Sequence, residues 1–126
     1  MRFTLERGRW YAAELIGAFF EERIRSYSPI KILSIEPRRD GRRTFDLGFY
    51  HANYPEGVRD KRYGLRTLER NDWFLLAKSL DHDPTRLLLI HEITAPWISV
   101  HFGVPLEDIT DPATWLPAAV RSINTM

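Results

Sequence analysis

Lys31-Ile-Leu-Ser-Ile-Glu-Pro-Arg38-Arg39-Asp40-Gly41-Arg42-Arg43-Thr-Phe-Asp-Leu-Gly-Phe49 is the stretch that decides the fold. Two apolar-polar alternating runs flank an Asp-Gly pair, the pattern of a β-hairpin. Two registers compete. A two-residue Asp40-Gly41 loop sets Leu33 against Gly48 and Ile35 against Asp46, mixing apolar with polar. A three-residue loop, Arg39-Asp40-Gly41, places the glycine in the left-handed region and sets Ile35 against Phe45 and Leu33 against Leu47. Register follows the buried face, so the three-residue loop is expected.

That register has an electrostatic consequence. Arg38 and Arg42 face each other directly, with Arg39 and Arg43 beside them, and like charges so placed cost about 0.2–1 kcal/mol. Solvation and the neighbouring Glu36 and Asp40 offset part of this, because exposed charges a few ångströms apart interact weakly in water. A tip of four arginines is also a ready anion site for a phosphate, a nucleic-acid backbone or an acidic partner.

Composition bounds what surrounds the hairpin. The 126 residues are enough for one domain, 1–126, with a core of its own. Cysteine is absent, which excludes a disulfide framework, a zinc-thiolate centre and a thiol nucleophile. No basic-then-apolar leader opens the chain, and no apolar run approaches the ~20 residues that span a bilayer. A cytoplasmic protein without membrane contact is expected. The net charge of +1 is unevenly distributed. Residues 36–70 hold nine basic against six acidic side chains, whereas from Asp81 onward six acidic residues face only Arg86 and Arg121. Such polarity suits a partner of mixed charge, or head-to-tail self-association, better than a protein that coats DNA.

Residues 9–26 are ambiguous. On a helical wheel Glu14, Glu21 and Arg25 fall on one narrow stripe, and Ala12, Leu15, Ile16, Phe19 and Phe20 fill the opposite arc. Read as a strand, both faces are largely apolar, which a central strand allows. The wheel, together with the helical spacing of Glu21 and Arg25, favours an N-terminal helix. Beyond Ser28-Pro29, strands are expected at 30–36, 44–51, 62–70, 73–79 and 86–93. The turns between them are marked by Asp40-Gly41, Tyr54-Pro55-Glu56-Gly57, Asn71-Asp72 and Asp81-His82-Asp83-Pro84. Thr94 before Ala95-Pro96-Trp97 reads as an N-cap, with Gly103 ending a short helix. Asp111-Pro112 opens another, whose stripe is Trp115, Leu116, Ala119, Val120 and Ile123, with Pro117 as an internal kink or restart. The fold class is therefore α+β: an antiparallel meander of about five to six strands with short C-terminal helices packed on it, and one N-terminal helix.

The connection from Phe49 to Tyr63 gathers the second set of candidates. Tyr50 and Tyr54 are stacking groups of the kind that hold single-stranded nucleic acid beside basic residues, here Arg59, Lys61 and Arg62. His51 with Asp60 or Glu56 forms the only acid/base pair the chain suggests, and with it the alternative of a small enzyme. Glycine-flanked serine nucleophiles, phosphate-cradling loops and dinucleotide fingerprints are missing from the sequence. The histidines His51, His82, His91 and His101 lack the one-turn spacing of a helical zinc motif, so no metal or other cofactor is expected. His101-Phe-Gly-Val-Pro-Leu-Glu-Asp-Ile109 resembles the turn of a helix-turn-helix, but the helix after it would be acidic and repelled by phosphate.

The function expected is a non-enzymatic binding module. Its site is Arg38, Arg39, Arg42 and Arg43, then Arg59, Lys61 and Arg62, with Tyr50 and Tyr54 stacking. Its partner is nucleic acid or an acidic protein surface. The strands apolar on both faces leave a structural, self-associating homodimer as the other reading.

Overall fold

The computed structural model describes residues 4–19, 22–51, 54–58, 66–70, 73–76 and 86–126, with side chains over 4–16, 27–50, at Glu69 and over 86–126. The chain is α+β with an antiparallel sheet and two α-helices. Among the described residues the sheet has seven strands: β1 (Trp10–Phe19), β2 (Glu22–Pro37), β3 (Arg43–His51), β4 (Tyr54–Val58), β5 (Arg66–Arg70), β6 (Trp73–Leu76) and β7 (Arg86–Glu92). Helix α1 spans Ala95–Phe102 and α2 spans Leu116–Asn124. Single 3-10 turns lie at Leu106–Asp108 and Pro112–Thr114.

The strands close on themselves. β1 pairs with β2 and β7, β2 with β3, β3 with β5, β5 with β6 and β6 with β7, each antiparallel. Closure into a six-membered ring removes the exposed edges that an open meander would present. β4 adds to β3 alone, beside the far half of its edge.

The N-terminal helix expected over 9–26 is replaced by β1 and most of the first half of β2, paired from Trp10↔Lys31 to Phe19↔Glu22. The cause is burial on both faces. Tyr11, Ala13 and Leu15 point into the ring, where they meet Ile30, Ile32, Phe45, Leu47, Phe49, Leu87 and Leu89. Ala12, between them, is also fully buried, but against the outer layer of Ile93, Ile98, Trp115, Leu116, Ala119, Val120 and Ile123. A strand covered on both sides loses its period of two and mimics a helical arc.

Helix α2 supplies that cover. Trp115, Leu116, Ala119, Val120 and Ile123 are buried along one stripe, and Pro117 sits in the first turn, where its missing N–H costs nothing. Asp111 caps the preceding 3-10 turn by accepting from the Ala113 N–H, so Asp111-Pro112 starts that turn and α2 restarts after it. α1 begins as expected: the Thr94 hydroxyl accepts from the Trp97 N–H, and Gly103 closes it at φ 65°. Asn124, at the end of α2, donates to the Tyr27 carbonyl and ties the helix to β2. No described helix is long and apolar enough to cross a membrane.

The N-terminal segment stoppers one end of the ring. Leu5 is buried with the inner cluster, the Tyr11 hydroxyl donates to the Thr4 carbonyl, and Gly8 and Arg9 exchange backbone hydrogen bonds with Ile32. The β2–β3 hairpin leaves from this same end, since β1 starts opposite Lys31 while β2 runs on to Pro37.

Candidate functional site

The hairpin adopts the three-residue loop. Ile35 faces Phe45, Glu36 faces Thr44 and Pro37 faces Arg43, while Gly41 takes φ 82°. The Arg38 N–H donates to the Arg42 carbonyl at 2.8 Å and the Gly41 N–H to the Arg38 carbonyl at 3.2 Å, so Arg38 and Arg42 do face each other. One pairing differs from expectation. Ile32, not Leu33, lies opposite Leu47, because Leu33 is an extra residue between Ile32 and Ser34. The bulge keeps Ile32 and Ile35 on the inner side of a strand whose spacing would otherwise divide them.

The four arginines of the tip have separate fates. Arg43 lies across from Glu69 and binds it with two parallel hydrogen bonds, 2.8 and 2.9 Å, with its guanidinium also 5.3 Å from the centre of the Phe45 ring. The Glu69 hydrogen bonds raise the pKa of Arg43, fixing it as a cation held within the sheet. Such a forked pair is geometrically specific and leaves little for a second anion. Arg38 places Nε 3.5 Å from Asp40 Oδ1. The same oxygen accepts the Arg42 backbone N–H at 3.0 Å. That N–H, foremost, and the charges of Arg38 and Arg42 hold the Asp40 carboxyl below its ordinary range. Arg39 and Arg42 are exposed, and no carboxylate pairs with either guanidinium among the described residues.

The remaining candidates do not gather around this tip. Tyr50 is half-buried, with its ring centroid 4.9 Å from that of Trp10, and belongs to the outer cluster under α2. Its ring also folds over Gly48, where a Cβ would lie 3.3 Å from it. Tyr50, one of the two stacking candidates, is thus packed within the outer layer. β3 carries Arg43 at one end and His51 at the other, about 26 Å apart at the usual rise per residue. Tyr54 pairs with His51 in the ladder and so lies at that far end too.

The expected Tyr54–Gly57 turn is instead part of β4, antiparallel to β3 with Tyr54 opposite His51. Pro55 is tolerated there because β4 is an edge strand. Arg59, Asp60, Lys61 and Arg62 lie outside the described residues, as do the Asn71-Asp72 and Asp81–Pro84 turns. Their flanks are fixed, however: Val58 pairs with Phe49 and Asp46 with Arg66.

A cluster that the sequence did not reveal lies on α1. Trp97 stacks on His101 with centroids 4.4 Å apart, meets His91 at 5.0 Å and Phe102 edge-on at 5.3 Å. His91 reaches it because Ile90 is an extra residue in β7: Leu89 pairs with Ala13, but His91 pairs with Ala12 and therefore faces outward. His91 Nδ1 lies 3.1 Å from the Glu92 carbonyl and His101 Nδ1 lies 3.0 Å from the Trp97 carbonyl. Among the described residues no group of three or more His, Asp or Glu side chains converges as a metal site. Compared with known proteins, the chain matches no family model, no curated protein and no solved structure.

Proposed function

We propose that this protein is a binding module whose β2–β3 hairpin tip grips an anionic partner, with the phosphates of nucleic acid as its leading ligand. One observation carries the reading. Arg39 and Arg42 stand exposed, with no paired carboxylate among the described residues, on a turn pinned by Gly41 and rooted in a closed ring. A stiff turn suits a phosphate partner because the backbone that carries the guanidiniums is ordered before contact. Arg38 adds a third charge, half engaged by Asp40, and Arg43 acts below them as a buttress through Glu69. Arg59, Lys61 and Arg62 extend the positive surface in this reading.

A second reading has its own observation. Leu106 is 62% exposed beside the exposed Glu107 and Asp108, in the acidic C-terminal third. This offers a complement to the basic tip of another copy, and head-to-tail contacts of that kind assemble in series. The small-enzyme alternative rests on the side chains of His51, Asp60 and Glu56, which lie outside the described side chains.

Fluorescence anisotropy of labelled single- and double-stranded oligonucleotides, at low and high salt, tests the leading reading. Micromolar binding that weakens steeply with salt is expected, and substituting Arg39 and Arg42 by glutamine lowers the salt slope by about two contacts. Absence of binding at low salt overturns the nucleic-acid reading. Sedimentation that shifts to larger species at low salt and reverts at high salt favours self-association instead.

A further inference from the structure

We infer that the hairpin tip is a preformed slot for one phosphodiester oxygen, and that Asp40 occupies it in the free protein as an internal competitor. This rests on the reading of the tip as an anion site and adds how that site is regulated. A single carboxylate oxygen, Asp40 Oδ1, is 3.0 Å from the Arg42 backbone N–H and 3.5 Å from Arg38 Nε. A backbone donor and a guanidinium converging on one anionic oxygen is how proteins hold phosphate. The Asp40 residue is exposed, so its carboxylate can swing into water when another anion arrives. The backbone donor cannot swing, because Gly41 at φ 82° and the Arg38 N–H to Arg42 carbonyl bond hold the turn.

The slot is positioned for a larger ligand. Arg42 lies close enough for its charge to act on the Asp40 carboxylate, and the Arg43–Glu69 pair ties the base of the hairpin to β5. A phosphodiester bound there gains the N–H and the Arg38 guanidinium, with the Arg42 charge close by, and displaces one carboxylate whose lost contacts are replaced by water. The displaced aspartate also weakens non-productive anions, since any ligand must outcompete a tethered carboxylate. Apparent affinity falls by the fraction of time the slot is open.

Three variants separate occupancy from charge. Asp40→Ala empties the slot. Asp40→Asn removes the charge but keeps an Oδ1 acceptor for the Arg42 N–H. Glu36→Gln removes one negative charge from the same hairpin without touching the slot. Anisotropy of a labelled oligodeoxythymidine, at one fixed low salt concentration, reads all three against the native protein. The expected order is Asp40→Ala tightest, by about tenfold for a slot filled nine-tenths of the time, then Asp40→Asn, with Glu36→Gln within about twofold of the native protein. Equal tightening by all three variants overturns the slot, since charge alone then explains it, while the reading of the tip survives. No binding by native protein or by Asp40→Ala overturns both. Matched melting temperatures and circular dichroism establish that each variant retains the fold, and Asp40→Asn covers the case in which Asp40→Ala loosens the turn.

Discussion

Individual residues hold this molecule at points where the backbone or the solvent would otherwise object. Gly41 is one. Its φ of 82° lies in the left-handed region, and a Cβ there meets nothing within 4 Å, so the cost of a side chain is purely conformational. Gly41→Ala should lower stability by about 1–2 kcal/mol, and Gly41→Asn by less, because asparagine tolerates that region. Paired thermal melts check the ordering. Tyr11 is another. Its ring is fully buried, its hydroxyl donates to the Thr4 carbonyl, and burial above all, then the Glu92 charge, raises its pKa above the ordinary 10.0. A folded-state pKa above the unfolded value gives stability that is complete below pH 10.0 and lost as pH rises through the folded value. Alkaline denaturation curves should therefore show a loss of stability above pH 10.0 that Tyr11→Phe removes. At neutral pH the same substitution costs about 1 kcal/mol for the lost hydrogen bond.

Elements divide by how many faces they bury, and that division governs what the sequence could tell. The hairpin loop was legible because Asp40-Gly41 and the pairing of Ile35 with Phe45 are local signals. The stripe of α2 was legible for a related reason: it is buried on one side only, so Trp115, Leu116, Ala119, Val120 and Ile123 keep a helical period. β1 was not legible. Ala12 and Ala13 face opposite cores and are both fully buried, which erases the alternation that would identify a strand. Bulges hide in the same way. The extra Leu33 and Ile90 move His91 to the outer face and Ile32 to the inner one, and nothing in a single sequence marks the inserted residue. Of the candidate site, the exposure of Arg39 and Arg42 follows from their place in a turn, whereas the capture of Arg43 by Glu69 needs the β3–β5 register. At this scale α2 gives a direct test. Ile123→Ala, at 1% exposure, should cost about 2–4 kcal/mol, while Arg121→Ala on the exposed side should stay within about 0.5 kcal/mol. Denaturant midpoints at unchanged slope are the measurement, and equal effects would mean α2 is not the cover it looks to be.

At the scale of the whole molecule, one sheet separates two cores, and β1 belongs to both. The inner cluster fills the ring and the outer one lies beneath α1 and α2, where Trp10 touches Tyr50 and meets Trp115 edge-on at 5.0 Å. Neighbouring alanines on opposite faces of β1 make the coupling measurable. Ala12→Leu wedges side-chain volume between β1 and the helical layer, and Ala13→Leu wedges it into the ring. Each overpacking should destabilise by about 1–3 kcal/mol. If the layers form one cooperative unit, both variants unfold in a single transition, with far-UV circular dichroism and tryptophan fluorescence coincident. Trp10 and Trp115 report on the outer layer, so an outer layer that melts alone would move the fluorescence midpoint of Ala12→Leu ahead of its dichroism midpoint. Coincidence is the expected result. Ala12 lies between Tyr11 and Ala13, so pushing β1 toward the ring disturbs two inner-core contacts at once and leaves the helices no intact ring on which to part company.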